Sequence, residues 1–484
     1  MRLKLSWALL LALATIPSSS FERSGPQPAD ARFETIAALA QTKMQQYGVP
    51  GVAIGIIADG NLATRGLGVA GVEDPLPVTP HTVFPIASIS KTFAVTAMLR
   101  LVEEGKIDLR APVRTYLPDF QVRDQSVSRG VTIWHLLTHT AGWEGQVSGP
   151  ERGDETLKNF VASITDLMQV APPGAAWSYN NAGFSIAGRV IEAVTAKSIN
   201  RSMRELVFTP LGLEHAGTTA GEFITHRFAL GHASGDEGAP TLQRPFSPSV
   251  SVTAGGIGLC VSDLLTYARF HLGDGTSSRG ERVLRRESLA LMRTPQLRKQ
   301  STDDDMGLGW HLRSIGPLRV VGHGGTLAGH IVLLELVPER NFAIAILTNS
   351  NSGWRLIQDV ERAALKEYLN RAFSTNQAIA HRGLLETLPA VEPLTRQPEL
   401  AAYVGTYERP MNLVSVRLDG PKLIVQVRAK DGNPQAEMPV AFYGPDRAVV
   451  LDGPDRGQSI EFVRDASGRV TWVRVVGRIA VRVS

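Results

Sequence analysis

The sequence predicts an α/β (α+β) protein in two parts. The first part is an antiparallel sheet flanked by helices with a helical subdomain, and the second is an all-β antiparallel barrel of eight strands. Strand patterns stand at both ends of the first 370 or so residues with helical patterns between them, which is typical of one sheet built from distant segments. After residue 397, eight short alternating segments follow in under ninety residues, separated by Gly or Pro turns.

The first elements are a helix and a hairpin. Residues 33–47 have helical spacing, which Gly48-Val-Pro-Gly breaks, and residues 51–57 and 63–72 are predicted strands around a turn at Asp59-Gly60-Asn61. Gly66-Leu-Gly-Val-Ala-Gly matches the dinucleotide-binding fingerprint, but Glu-Asp-Pro follows it instead of a helix. We therefore expect no nucleotide and no other cofactor.

Residues 107–273 are mostly helical in pattern, with the clearest helices at 182–195 and 262–271. Strands then return and a helix closes the first part, at 309–313, 318–322, 330–337, 342–349 and 354–373. Residues 375–397 are polar and proline-containing and are predicted to be a linker. Two domains are thus predicted, a catalytic domain over 26–374 and a barrel over 398–484. We expect the barrel to be a cap or solubility domain rather than a lipid-binding calyx.

Composition excludes several classes of partner. The formal net charge of +4 includes Arg2 and Lys4, so the chain after them carries 4 − 2 = +2, and no nucleic-acid partner or strong membrane partner is expected.

Residues 1–20 have a basic start, an apolar run and then small residues, which is typical of a secretory signal peptide. The expected location is periplasmic or secreted, whether the leader is cleaved or remains as an anchor. Cys260 is the only cysteine, so no disulfide stabilises the fold.

Ser88 and Lys91 are the first candidate catalytic pair. They lie three residues apart where Phe84-Pro-Ile-Ala-Ser-Ile-Ser-Lys-Thr enters an amphipathic helix, so they share one face near its N-terminus. The positive end of the helix disfavours a protonated ammonium there and favours a developing oxyanion. A neutral Lys91 can then accept the proton of Ser88. Of the ten lysines, only Lys91 has a serine three residues before it.

Three further segments carry candidate site residues. Tyr179 and Asn181 place a phenol and an amide two residues apart, just ahead of a predicted helix. A tyrosinate perturbed by a lysine is able to act as a general base, and an amide is able to hold a substrate carbonyl. Gly322-His323-Gly324-Gly325-Thr326 lies between two predicted strands, where glycines let a ligand approach the backbone closely, and taken alone it is also consistent with a turn that carries a surface histidine. His135 and His139 have the spacing of a zinc pair, but the metalloprotease Glu and a third ligand are missing, so no metal is expected.

Taken together, these segments resemble the serine β-lactamase and penicillin-binding superfamily, and more closely its class C branch. Ser-x-x-Lys, Tyr-x-Asn and His-x-Gly occur in the family's order, supported by Leu136–Gly142, Ala254-Gly-Gly256 and Gly307-Leu-Gly-Trp310. The resemblance covers about residues 33–373. The segment that begins at Leu400-Ala-Ala-Tyr-Val-Gly-Thr-Tyr407 resembles the lipocalin-like barrel appended to many such proteins.

The resemblance implies a role for each motif residue. Ser88 would form an acyl-enzyme, Lys91 and Tyr179 would share the proton relay, and Asn181 would position the substrate. The backbone amides of Ser88 and Thr326 would form the oxyanion hole, with His323, Gly324 and Gly325 on the adjoining strand as substrate-binding residues. His323 occupies the place of a lysine in the efficient class C β-lactamases, and an unperturbed histidine is mostly neutral at pH 7. Strong β-lactamase activity is therefore not expected.

The sequence thus predicts an exported serine hydrolase that cleaves esters or D-amino-acid amide and peptide bonds. The alternatives are a penicillin-interactive β-lactamase or D-alanyl-D-alanine carboxypeptidase, and a catalytically silent sensor or scaffold with the same fold. An ordinary α/β-hydrolase is disfavoured because no Gly-x-Ser-x-Gly occurs. The expected partner is a small-molecule or peptide substrate, and the sequence leaves the oligomeric state open.

Overall fold

A computed structural model describes residues 30–143, 156–234, 239–243, 252–298, 305–370, 400–430, 432, 435–453 and 455–484. The predicted signal peptide and linker lie outside the described residues. Among the residues described, no helix combines the length and hydropathy needed to cross a membrane.

The first part of the chain is built on an eight-stranded antiparallel sheet. Its strand order is β2-β1-β12-β11-β10-β9-β8-β7, so the hairpin near the N-terminus pairs with the last strand before the closing helix. The strands, with two short pairs outside this sheet, are β1 Gly51–Ala58, β2 Asn61–Gly68, β3 Phe84–Pro85, β4 His232–Ser234, β5 Pro240–Leu242, β6 Gly258–Leu259, β7 Leu297–Arg298, β8 Asp305–Met306, β9 His311–Ile315, β10 Leu318–Leu327, β11 His330–Val337 and β12 Phe342–Thr348.

Helices cover both faces of this sheet, so β1, β11 and β12 are buried along their whole length. The helices are α1 Ala31–Tyr47, α2 Ser90–Glu103, α3 Gln125–Gly130, α4 Ile133–Leu137, α5 Thr156–Ser163, α6 Asn181–Thr195, α7 Ile199–Met203, α8 Thr209–Leu211, α9 Ala220–Phe223, α10 Val261–Leu272, α11 Arg286–Arg293 and α12 Gly353–Leu369. Apolar residues of α1 and α12 pack on one face, and those of α2, α6 and α10 belong to the larger core on the other.

The second part is a closed antiparallel barrel of eight strands in sequence order. They are β13 Gly405–Arg409, β14 Asn412–Asp419, β15 Lys422–Ala429, β16 Met438–Gly444, β17 Arg447–Val450, β18 Ser459–Arg464, β19 Val470–Val475 and β20 Arg478–Arg482. The rings of Tyr403, Phe442 and Phe462 pack against one another, with centroids 4.6 to 5.8 Å apart, in a core that side chains fill. A filled core disfavours the lipid-binding calyx.

The predicted fold class is therefore confirmed: a helix-flanked antiparallel sheet followed by an eight-stranded barrel. One predicted strand was too short, because it ended at residue 322 and β10 runs on to Leu327. The alternative of a turn with a surface histidine at Gly322–Thr326 is wrong, since this segment pairs residue by residue with β11 and His323 is buried. The long apolar strand β11 supplies a full ladder of partners, which outweighs the weak strand propensity of the glycines.

Candidate active site

Ser88 lies in a tight turn that joins β3 to α2. The single 3₁₀ turn Ala87–Ile89 leads directly into α2, and Ala87 has φ +46°, a left-handed conformation that L-residues rarely adopt. The strained turn holds Ser88 at the positive N-terminal end of α2, as the sequence predicted. Ser88 itself is half-buried, while residues on both sides of it are buried.

Lys91 is fully buried and points at Ser88. Its Nζ donates to Ser88 Oγ at 3.2 Å and to the backbone oxygen of Ala254 at 2.5 Å. Burial, reinforced by the positive charge of Arg478, lowers the pKa of Lys91 well below its ordinary value of 10.5. In the neutral amine, the lone pair is able to face Ser88 Oγ across this 3.2 Å contact while an N–H donates to the Ala254 carbonyl, so Lys91 is placed to take the proton of the serine hydroxyl.

Tyr179 lies against the same pair of residues. Lys91 Nζ lies 4.9 Å from the centre of its ring, and Ser88 is close enough to its hydroxyl to influence its pKa. Burial raises the pKa of Tyr179 to about 12, although Ser88 and the Arg478 charge oppose the rise. At neutral pH the side chain is therefore a phenol. The geometry favours Tyr179 as a proton relay between Ser88 and the leaving group, rather than as the resting tyrosinate considered from the sequence.

Strand β10 passes directly beside the Ser88 turn. A Cβ at Gly325 would lie 2.6 Å from Ala87 Cβ and 2.8 Å from the backbone oxygen of Ile86, so only glycine permits this approach. The ladder between β9 and β10 ends at the pair His311 and Gly322, whereas β11 continues beside β10 to its end. The β9-side edge of β10 after Gly322, which includes Gly324 and Thr326, therefore lacks a neighbouring strand in the described ladder.

His323 lies between Tyr179 and the end of β9. Its ring centroid is 6.4 Å from that of Tyr179 and 5.1 Å from that of His311, and its Nδ1 faces the backbone oxygen of Gly324 at 2.6 Å. A carbonyl accepts only, so Nδ1 carries the proton. The structure thus brings His323 to the site that holds Ser88, Lys91 and Tyr179.

The two asparagines before α6 have different environments. Asn180 caps the helix, accepting from the Gly183 amide and donating to the backbone oxygen of Trp143. Asn181 is the first residue of α6, and its Oδ1 is buried without a hydrogen-bond partner among the described residues. A buried amide oxygen without a protein partner suits a side chain that binds substrate. This difference agrees with Asn181, rather than Asn180, as the predicted substrate-positioning residue.

The barrel forms one wall of this site, which the sequence did not predict. The turn between β19 and β20 approaches Tyr179, whose amide donates to the backbone oxygen of Gly477 at 2.9 Å. Arg478 follows, with its guanidinium carbon 5.9 Å from the centre of the Tyr179 ring. Nearby, Trp472 Nε1 donates to the oxygen of Val170 at 2.7 Å, and Ile479 N donates to Ser178 Oγ at 3.2 Å.

Apolar contacts and a hydrogen bond from a buried arginine fix the same interface. Apolar side chains of both parts form one buried cluster, namely Val170, Ala171, Ala176, Val463, Trp472 and Ile479. Arg474 of β19 is paired with Glu461, and its Nε donates to the backbone oxygen of Trp177 at 3.2 Å. The barrel is thus packed against the segment that leads into Tyr179, and it adds a positive charge close to the reacting groups.

Comparison with known proteins identifies the family. The β-lactamase family model matches residues 36–367, and the chain belongs to this family. Penicillin-binding protein 4 of Amycolatopsis lactamdurans is 33% identical over 372 residues, which cover 75% of this chain and 94% of that protein. An unguisins hydrolase of Aspergillus campestris is 24% identical over 431 residues, covering 81% and 78%.

Among solved structures, SurE superposes with a TM-score of 0.76 at 25% identity, covering 94% of this chain and 99% of that one. SurE has also been solved with D-Leu, and that structure gives a TM-score of 0.75 at 26% identity, with coverage of 94% and 100%. These matches confirm the serine β-lactamase and penicillin-binding superfamily, and the chain is a serine hydrolase of that superfamily.

Proposed function

We propose that this protein is an exported hydrolase that cleaves amide or ester bonds next to D-amino-acid residues through an acyl-enzyme on Ser88. The observation that carries the proposal is the hydrogen bond from a fully buried Lys91 to Ser88 Oγ, at 3.2 Å. A lysine buried without a carboxylate partner costs stability, because burial disfavours its charged form. Such a residue is typical of catalysis and has no use in a silent scaffold.

Each proton in the proposed reaction has a place to go. Ser88 Oγ attacks the acyl carbon while its proton passes to Lys91 Nζ, and the carbonyl oxygen becomes an oxyanion beside the N-terminus of α2. Tyr179 then passes a proton to the leaving nitrogen or oxygen as its bond to carbon breaks. Lys91, now protonated, resupplies Tyr179. Water attacks the ester on Ser88 in the second half, with the same groups acting in reverse.

The substrate class rests on charge and on backbone geometry. Arg478 brings a permanent positive charge to a site where His323 replaces the lysine of the β-lactamases. A carboxylate near the scissile bond is thus able to find a cation on the barrel. Beyond Gly322 the ladder with β9 ends while β10 continues, so an extended peptide would be able to lie beside this part of β10. The structure of SurE with D-Leu supports a D-amino-acid substrate.

A penicillin-interactive enzyme is the second candidate. The 33% identity to penicillin-binding protein 4 favours it, and a β-lactam carries a carboxylate that Arg478 would also bind. The two candidates share the acylation step on Ser88 and differ in the acyl donor that each prefers. The penicillin-interactive enzyme would prefer a β-lactam, whereas the proposed hydrolase would prefer D-amino-acid substrates.

The test is covalent labelling followed by a substrate panel. We expect a fluorophosphonate to add one mass equivalent to the full chain and none to Ser88→Ala, because Ser88 Oγ has the buried Lys91 amine within hydrogen-bond distance. The panel then compares D- and L-amino-acid p-nitroanilides, D-residue peptides, p-nitrophenyl esters and nitrocefin. Labelling at a different serine would refute the site, and nitrocefin turnover above that of every D-residue substrate would favour the second candidate. Export is tested by N-terminal sequencing of the protein recovered outside the cytoplasm.

A further inference from the structure

Three potential metal ligands from distant parts of the sequence meet away from the Ser88 site. His81 precedes β3, His215 follows α8, and Cys260 lies between β6 and α10. One ligand atom from each lies within 4.8 Å of the other two. The rings of His81 and His215 are stacked with centroids 5.1 Å apart. Neither histidine belongs to the predicted motifs, and the proposed reaction uses none of these residues.

The chemistry of this donor set matches zinc. Thiolate sulfur and imidazole nitrogen are the ligands of most structural zinc sites, with metal–ligand distances of about 2.0 to 2.3 Å. Tetrahedral geometry then places the ligand atoms about 3.3 to 3.6 Å apart. The present separations of up to 4.8 Å require closure of roughly 1 Å, which rotation of the exposed His81 side chain supplies. We propose that His81, His215 and Cys260 form a zinc site.

A carboxylate completes the group. Asp263 Oδ2 accepts from the backbone amide of His215 at 2.6 Å and lies 3.5 Å from His215 Nδ1. That nitrogen is buried and makes no hydrogen bond within the described residues. Asp263 is therefore close enough to serve as the fourth ligand or as the carboxylate that orients a zinc-bound histidine. His226 adds a third imidazole, with its ring centroid 5.2 Å from that of His215.

Burial and the neighbouring Asp263 carboxylate raise the pKa of the Cys260 thiol to about 12, so a bound cation would have to displace its proton. Cys260 is the N-cap residue of the twelve-residue helix α10, and its sulfur accepts from the Asp263 amide at 3.4 Å. The positive end of the helix stabilises a negative sulfur. Cys260 is fully buried while His81 is exposed, so the cluster reaches from the core to the surface and offers an ion a route from solvent.

The position of the cluster gives the metal a structural role. His81 and Cys260 lie just outside the short antiparallel ladder in which Phe84 pairs with Leu259 and Pro85 with Gly258. The inner end of this ladder continues through the hydrogen bond from Ile86 N to Ile257 O, at 2.9 Å, into the turn that carries Ser88. Zinc would therefore join the outer ends of the two segments that position the nucleophile.

The test uses the untagged full chain, treated with a chelator and then titrated with Zn²⁺ or Co²⁺. We expect one equivalent of Zn²⁺ by mass spectrometry and a thiolate-to-metal charge-transfer band with Co²⁺. At a free Zn²⁺ concentration a hundredfold above Kd, the melting temperature should be at least about 3 °C higher. His81→Ala removes an exposed ligand without touching the core. Cys260→Ser keeps the buried volume and removes the sulfur. Both should weaken binding at least about tenfold, and Cys260→Ser should abolish the band.

Two controls separate this cluster from adventitious binding. His135→Gln changes a histidine of α4 that is hydrogen-bonded to Thr132, and His323→Gln removes the imidazole beside the Ser88 site. Both should bind Zn²⁺ as the unaltered chain does. The proposal would be overturned if His81→Ala and Cys260→Ser bound Zn²⁺ as tightly as the unaltered chain, or if only His323→Gln lost binding. So would a chain that shows no thiolate band with Co²⁺.

Discussion

Replacement of Arg478 by alanine tests whether the barrel takes part in catalysis. Arg478 lies in the β19–β20 turn region, with its guanidinium carbon 5.9 Å from the centre of the Tyr179 ring. Its charge lowers the pKa of both Lys91 and Tyr179, although burial is the larger influence on each. Two effects follow from its removal, one on substrate binding and one on the proton-accepting group.

The binding effect is estimated from a charge-assisted hydrogen bond. A hydrogen bond to a charged group contributes roughly 1.5 to 3 kcal/mol, which is about 10- to 150-fold in kcat/KM. Arg478 is half-buried, so we expect the lower part of this range for carboxylate-bearing substrates. A neutral ester that lacks the carboxylate should lose much less.

The second effect appears in the pH profile. Without the nearby positive charge, protonation of Lys91 becomes more favourable, so its pKa rises. Lys91 must be neutral to accept a proton, and the acid limb of kcat/KM should therefore move to higher pH in Arg478→Ala. Arg478→Lys keeps the charge and should restore the position of the limb, while restoring only part of the bidentate binding.

The assay measures kcat/KM between pH 5 and 10 for one carboxylated and one neutral substrate. The matched control is Arg428→Ala, which removes an exposed arginine from strand β15 of the same barrel. The reasoning is refuted if Arg478→Ala lowers both substrates equally with an unmoved acid limb, or if Arg428→Ala has the same effect. Circular dichroism melts exclude a loss of folding as the cause.

Three further predictions concern the catalytic groups and the barrel. Lys91→Met should lower kcat at least about a hundredfold yet raise the melting temperature at pH 7. The unfolded chain binds a proton that the native Lys91 excludes, so this stabilisation should shrink as pH rises toward 10.5, and a lower melting temperature would contradict it. Tyr179→Phe should slow turnover about 100- to 10,000-fold with an unchanged melt, since only the hydroxyl is lost, and normal turnover would make Tyr179 structural. A chain ending at Gln397 lacks the barrel, and Val170 and Ala176 then become exposed. We therefore expect this chain to aggregate or to be labelled by the fluorophosphonate at least about tenfold more slowly. Rapid labelling of a soluble truncated chain would show that the barrel is dispensable.

Local patterns were sufficient for most of the fold. Helix α1 and the β1–β2 hairpin follow from periodicity and from the turn at Asp59-Gly60, and the eight barrel strands follow from alternation between Gly and Pro turns. The prediction failed at β10, where His323 and its glycines have little strand propensity. Their strand conformation depends on β11, whose apolar residues pair with them, and that pairing is a tertiary interaction.

The contacts of the site likewise include some that are local in the sequence and others that depend on tertiary packing. Ser88 and Lys91 lie one helical turn apart, so their contact is encoded locally, and the structure places them within hydrogen-bond distance. The role of Ala254 as the second acceptor for Lys91 depends on a segment more than 160 residues away. No local signal marks Arg478, because an arginine after a glycine turn is ordinary in any barrel. Only the packing of Trp472 and Ile479 on the first part of the chain brings it to Tyr179.

This packing decides whether His323 or Arg478 supplies the positive charge that a substrate carboxylate would contact. In the sequence, a histidine in place of a lysine argued against substrates that carry a carboxylate, because the site lost its permanent cation. The structure brings a cation close to the same tyrosine that His323 approaches, on the barrel rather than on β10. The substrate carboxylate would then lie toward the barrel, with the scissile bond between Ser88 and the edge of β10. Substrate choice in this chain would depend on how the barrel docks, and changes in the β19–β20 turn should alter specificity while leaving acylation by small neutral probes intact.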